Sequence, residues 1–467
     1  MERTQQGMSR RNFMKAAGLG ALGTIAAGGL AGGLGGGLVS KLLTPVPSAL
    51  AATTLMALAA TDGYITLPYR NTGDPALDPV FIFGFVAVDP AASVTTLATI
   101  YKGHAQHTAP TLDTLQENDI NINLTGLGFV QRPDIPDQHT IHWHGFDVPT
   151  PLYDGVPEVS VSVPVGQQLT YFYRPHRPGT YMYHCHWEDV EHVQMGMTGI
   201  VFVRPIQDGQ AYTVSTPSGS KTFTKFAYND GDGSTGYDRH FAILLNDVDE
   251  GQHDADRDIQ FFVPTDYKPQ WFTLNGRCYP QTVLLNDDPS TPVAWMATNG
   301  TTADPNHPST SGLFTVNTTT GSHDASQPNS SLIHVNPGDR LLLRLANLGY
   351  TIDAMQLPGI PMHVVGQDAS LLRNGTGASA VDTSYVTNTL FLGPGEGRDV
   401  LFDAPAYSAL APSGSDSRGN YNVYYFKNRD WRKLSNYGNP GPGGMMTEVR
   451  VYQTALPPQT VVSQTYA

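Results

Sequence analysis

Asp119-Ile120-Asn121-Ile122-Asn123-Leu124 alternates polar and apolar side chains residue by residue. A period of two puts Ile120, Ile122 and Leu124 on one face of an extended strand and the polar residues on the other. Far downstream, Pro337-Gly338-Asp339-Arg340-Leu341-Leu342-Leu343-Arg344-Leu345-Ala346-Asn347 looks like the same strand, entered by a Pro-Gly turn. Three further landmarks recur in the same order. Val163-Pro164-Val165-Gly166 before Leu169–Tyr173 has its counterpart in Leu392-Gly393-Pro394-Gly395 before Arg398–Phe402. Gly179-Thr180-Tyr181-Met182-Tyr183 matches Gly419-Asn420-Tyr421-Asn422-Val423. Gly196-Met197-Thr198 ahead of Ile200–Val203 matches Gly444-Met445-Met446-Thr447 ahead of Val449–Tyr452. Four landmarks in one order read as a tandem repeat of a single β-sandwich, and the class is all-β.

Composition agrees. Gly (48) and Pro (35) are abundant without a collagen-like period, which suits many turns joining many strands. The 467 residues, 40% of them hydrophobic, are comfortable for two or three domains. A net charge of −14, with no basic run beyond the N-terminus, argues against nucleic-acid binding. Residues 207–239, rich in Gly, Ser, Thr and Asp, are expected as a linker or long surface loop between domains at 52–206 and 240–467. Thr298 to Ser330 reads as a polar insertion in the second domain.

Residues 1–51 are expected to be an export signal. Ser9-Arg10-Arg11-Asn12-Phe13-Met14-Lys15 carries paired arginines, an Ala/Gly-rich run follows to Val39, and Ala49-Leu50-Ala51 is a small-residue cleavage site. The pattern resembles bacterial twin-arginine signals, implying a periplasmic or extracellular protein. So glycine-rich a run makes a poor membrane helix, and no stable span is expected after processing.

Two segments carry the chemistry. They are His139-Thr140-Ile141-His142-Trp143-His144-Gly145 and His184-Cys185-His186-Trp187-Glu188-Asp189-Val190-Glu191-His192-Val193-Gln194-Met195-Gly196-Met197. Six of the 15 histidines fall there. On strands, His142 and His144 share one face, His184 and His186 share one face, and Cys185 points the opposite way. That spacing predicts two metal sites joined through Cys185. Thiolate, two imidazoles and a thioether form the ligand set of blue-copper electron-transfer sites. Imidazoles alone suit copper or zinc. With Cys185 in the cluster, the other cysteine, Cys278, reads as a buried free thiol and not as a disulfide partner.

These segments resemble the multicopper oxidase family, the laccase-like proteins built from cupredoxin (Greek-key β-sandwich) domains. The resemblance implies type 1 copper on His139, Cys185, His192 and Met197, and type 2/type 3 copper on His142, His144, His184 and His186. Leu244-Leu245-Asn246-Asp247 through Asn275-Gly276-Arg277, with Pro394-Gly395-Glu396-Gly397-Arg398-Asp399, look like a family domain without copper. Two departures stand out. His192 lies seven residues after Cys185 where the family usually places five, which leaves Met195 as a rival axial ligand. A full trinuclear cluster takes eight histidines, and four stand at motif positions, so a homo-oligomer sharing the copper sites is expected.

The resemblance further implies an oxidase that takes single electrons from a small-molecule or metal-ion reductant and reduces dioxygen to water. Asp154 matches a family position that assists proton delivery. Glu188, Asp189 and Glu191 stand close enough to the ligands to relay protons or shape the substrate edge. Copper nitrite reductase is the alternative enzyme, although its cysteine segment lacks the histidine that follows Cys185 here. A non-enzymatic copper-binding electron carrier is the third reading.

Overall fold

Ile120, Ile122 and Leu124 are buried, while Asn121 and Asn123 of the same strand are half-buried, as the alternation requires. The computed structural model describes residues 54–71, 73, 78–284, 315–317, 322–324, 326–375, 380–416, 418–459 and 465–466. The expected export signal and most of the 298–330 insertion lie outside those residues.

The first sandwich is built from β1 (Thr54–Ile65), β2 (Val80–Ala87), β3 (Thr111–Leu115), β4 (Ile120–Gly128), β5 (His142–Trp143), β6 (Gln168–Tyr173), β7 (Gly179–His184) and β8 (Thr198–Arg204). One sheet runs β2-β1-β4-β6, with β1 parallel to β4; the other contains β3-β8-β7-β5, with β3 parallel to β8. The second sandwich repeats this plan with β9 (Arg239–Val248), β10 (Trp271–Leu274), β11 (Ile333–Val335), β12 (Arg340–Asn347), β13 (Asp353–Gln356), β14 (Met362–Gln367), β15 (Thr389–Leu392), β16 (Gly397–Asp403), β17 (Gly419–Asn428) and β18 (Met446–Tyr452). Here β9 runs parallel to β12 and antiparallel to β10, and β12 pairs β16, as β1, β2, β4 and β6 do. Strands β11, β18, β17 and β13 follow in the order of β3, β8, β7 and β5. Each repeated landmark therefore sits on the same rung of its own sandwich.

Strand alternation explains how the two sandwiches meet. Tyr181 and Tyr183 of β7 enter the first core, together with Phe81, Phe83 and Phe85 of the wholly buried β2. Met182, between those tyrosines, points the other way and packs with Ile200 and Phe202 against Ala242, Leu244 and Ala346. At the same boundary Thr180 Oγ1 donates to Asp399 Oδ1 at 2.5 Å, and Arg344 donates to Thr180 Oγ1 at 3.1 Å.

The stretch 207–239 differs from its expectation. It contains a hairpin of Tyr212–Thr216 with Gly219–Phe223, and it buries Phe226, Ala227, Tyr228 and Tyr237. The Tyr228 hydroxyl donates to Asp399 Oδ2 at 2.5 Å. Its polar composition suggested a linker or long surface loop, but its aromatic side chains anchor it, and Ala51–Ala467 forms one compact unit.

Candidate metal centres

The last residues of β7 split between two faces. Cys185 continues the inward face of Tyr181 and Tyr183 and lies fully buried in the first core. His184 continues the outward face of Met182. Across the sheet His142 pairs with His184, and the Trp143 side chain turns into the core, so His142 and His144 join His184 outside it.

On the inward side His139, Cys185 and His192 bring one donor atom each within 4.8 Å of one another. Cys185 Sγ lies 3.2 Å from His192 Nδ1 and 3.8 Å from His139 Nδ1. Ligands bonded at about 2.0–2.3 Å to one ion in a tetrahedral site stand roughly 3.3–3.8 Å apart, close to the distances here, so the trio has the spacing to hold one metal ion. All three side chains are buried, and the Thr140 amide points at the sulfur at 3.5 Å. Burial, helped by the neighbouring His192, holds His139 well below the usual imidazole range. Burial also opposes charge on His192, but the Cys185 charge and the hydrogen bonds to Asp137 and Cys185 outweigh it, raising His192 to about 10. Met195 and Met197 are both fully buried in the same core, and the Cys185 amide donates to the Met197 carbonyl at 3.1 Å.

On the outward side His142, His144 and His184 likewise converge within 4.8 Å. His184 Nδ1 donates to the Cys185 carbonyl at 2.8 Å, and His142 Nδ1 to the Asp154 carbonyl at 2.6 Å. His144 is held by the backbone of Gly395 from the second sandwich. Fixing Nδ1 in this way leaves Nε2 to face the centre, where His144 Nε2 and His184 Nε2 stand 2.9 Å apart. Burial lowers His142 and His144 and takes His184 down to about 3, so these rings offer lone pairs and not charge. The His186 ring lies 4.9 Å from that of His142, and its amide donates to Thr140 Oγ1.

The carboxylates divide by site. Asp154 touches His142 mainly through its carbonyl; its carboxylate is 3.8 Å from Nδ1. Glu188 and Glu191 lie on the other side with Asp137 and His192, again within 4.8 Å. Burial raises Glu191, opposed by His192, and drives Asp256 up to about 7 with help from Glu191. Sequence reasoning missed Asp137, which accepts from His192 Nε2 at 3.3 Å. Its place two residues before His139 was the available clue, but its partner lies 55 residues away. Asp256 was missed too. It shares a cavity of about 520 Å³ with Glu188, Asp189, Glu191, Phe261 and Tyr350.

Comparison with known proteins finds a family match for part of the chain. Residues 94–208, which contain every ligand candidate, match the family described as multicopper oxidase. The chain carries a multicopper oxidase domain. Over 86 residues it is 34% identical to Laccase-1 of Emericella nidulans, a match spanning 18% of this chain and 14% of that protein. Two solved structures share the fold. The multicopper oxidase mgLAC has a TM-score of 0.53 at 18% identity, covering 88% of this chain and 90% of its own. The blue copper oxidase from Nitrosomonas europaea has a TM-score of 0.52 at 19% identity, covering 86% of each chain. Among the described residues, all three groups of His, Cys, Asp or Glu side chains close enough to share a metal ion lie within residues 94–208. At the corresponding strand ends the second sandwich instead buries Asp353 and Asn428, and Asp353 Oδ1 accepts from Asn428 and from Lys433 of the turn that follows.

Proposed function

We propose that the chain is a copper oxidase that takes single electrons from a small reductant at the His139–Cys185–His192 site and reduces dioxygen to water at the outward histidines. One observation carries this reading: consecutive residues of one strand end, His184 and Cys185, belong to two donor sets on opposite faces. Copper, when bound, would supply one-electron exchange at the inward set and oxygen reduction at the outward set. The protein supplies the connection, because Cys185 is joined to His184 by the backbone and by the 2.8 Å hydrogen bond to its carbonyl.

His192 has no exposed surface, so a reductant meets the carboxylates around it first. Asp137 holds Nε2, and Glu188 and Glu191 connect that position to the 520 Å³ cavity. We place the reductant there. Asp154, beside His142, is positioned to pass protons to the outward site. Met197 serves as the axial ligand in this reading, with Met195 as its rival.

Four histidines fill half of a trinuclear set. The other half comes from a second copy facing the first, each giving His142, His144, His184 and His186. The chain functions after export; among the described residues no helix is long and apolar enough to cross a membrane.

Spin counting by EPR against total copper tests the proposal. Copper that is present but silent marks a coupled pair and supports a shared cluster. If every copper is visible, the oxidase reading fails, and turnover with nitrite separates a nitrite reductase from an electron carrier.

A further inference from the structure

The helix α1 (Asp189–Met195) presents His192 and leads through Gly196 to Met197. Seven residues make a helix too short to hold itself in water. Its N-cap residue, Glu188, has a left-handed backbone at φ 48° and makes no side-chain capping bond. The first sandwich holds its inner face through His192 and Met195, and the other sandwich holds both of its ends. The Tyr350 hydroxyl donates to the carbonyls of Val190 and Asp189 in the first turn. In the last turn Gln194 Nε2 donates to the Asp247 carbonyl at 3.0 Å, and the Tyr267 hydroxyl lies 2.9 Å from Gln194 Oε1. Just past Met197, Asn246 Nδ2 donates to Thr198 Oγ1 at 3.3 Å.

Asp247 ties these contacts together. Its carboxylate accepts from the Tyr350 amide at 2.9 Å and the Thr351 hydroxyl at 2.6 Å, and it lies 2.5 Å from the Tyr267 hydroxyl. It is 3% exposed, and its own carbonyl holds Gln194. One residue at the end of β9 thus fixes both tyrosines and one end of the helix. We infer that Asp247, Tyr267 and Tyr350 are positioning residues that set the geometry of the His192–Met197 segment, so that the sandwich without copper ligands tunes the type 1 site of the other. The inference rests on the function proposed above. It also gives the Leu244-Leu245-Asn246-Asp247 segment a task.

The test compares the copper-loaded full chain with its Tyr350→Phe and Asp247→Asn variants, and with Tyr385→Phe, an exposed tyrosine on an outer strand, as control. Tyr350→Phe is expected to keep the fold, shift the copper hyperfine coupling and reduction potential, and lower copper affinity about tenfold, as loss of an outer hydrogen bond does at metal sites. Asp247→Asn is expected to shift both further, and Tyr385→Phe to leave both alone. Hydrogen exchange of the 190–196 amides is expected to quicken in the first two variants. Faster exchange with an unchanged potential and hyperfine coupling overturns the tuning role; unchanged exchange overturns the clamp. A wild-type chain that takes up copper without a blue band overturns the proposed function itself, and this inference with it.

Discussion

Replacing Gly196 with alanine should damage stability and the blue site together. Gly196 closes α1 at φ 116° and ψ 8°. A Cβ there would stand 2.8 Å from His107 Nδ1 and 3.0 Å from the Phe83 carbonyl oxygen. Neither neighbour can yield: His107 is buried and tied by its amide to Ser326, and Phe83 lies in the wholly buried β2. Left-handed backbone costs a side-chain-bearing residue roughly 1–2 kcal/mol. Overpacking against fixed atoms adds about 1–3 kcal/mol. Gly196→Ala should therefore lose about 2–5 kcal/mol, read as a lowered urea midpoint of the copper-free chain. Gly209→Ala is the control, because φ is 89° there and no atom lies within 4 Å of the added Cβ. It carries the backbone cost alone. The copper-loaded Gly196→Ala chain should also lose or shift its blue band, since the turn leads directly into Met197. If Gly196→Ala loses no more stability than Gly209→Ala, the wedge argument fails. If it is destabilised but keeps the wild-type band and potential, the turn does not set the axial ligand.

Cys185→Ser should abolish the blue absorption while leaving copper binding at His142, His144 and His184, whereas Cys278→Ser should change neither; visible spectra with metal analysis decide this. Met197→Leu should move the reduction potential and Met195→Leu should leave it, and the reverse result in a redox titration assigns the axial position to Met195. Lys433→Met would strand Asp353, 2.6 Å from the ammonium and 2% exposed at its side chain, at a cost of about 3–5 kcal/mol in denaturant unfolding. Burial raises the Asp353 carboxyl to about 6 even with Lys433 opposing it. The folded chain then holds this proton more tightly than the unfolded one. The contribution is complete below 3.8 and lost as pH rises through about 6, so Asp353→Asn should flatten the stability profile across that window.

What could be read from the sequence was what strand geometry decides locally. Alternation alone sends Cys185 one way and His184 the other, and the structure places them on opposite faces. The repeated landmarks were legible because sandwich edges are marked by glycine turns and apolar strands. Partners brought together by tertiary packing were not legible. Asp137 and His192 are 55 residues apart, and Tyr350 lies 160 from Val190. The 207–239 stretch misled because its many polar residues hid the few aromatic anchors that bury it. Met195 and Met197 are equally buried, so burial does not separate Met197, the expected axial ligand, from its rival, and that choice goes to a potential measurement.

Strand β5 has only two residues, His142 and Trp143, so ladder bonds alone cannot hold its register. The Trp143 ring does. It stacks at 4.6 Å on Phe146 and meets Tyr173 edge-on at 4.9 Å inside the core, and the His144 amide donates to the Met182 carbonyl at 3.0 Å. A slip of one residue would drive a histidine into that core and turn the indole out, exchanging the faces of the whole segment. The apolar core of the first sandwich therefore selects the register that aims His142 and His144 at His184. On the opposite side the same core encloses Cys185, so packing that serves stability also keeps the two donor sets one residue apart.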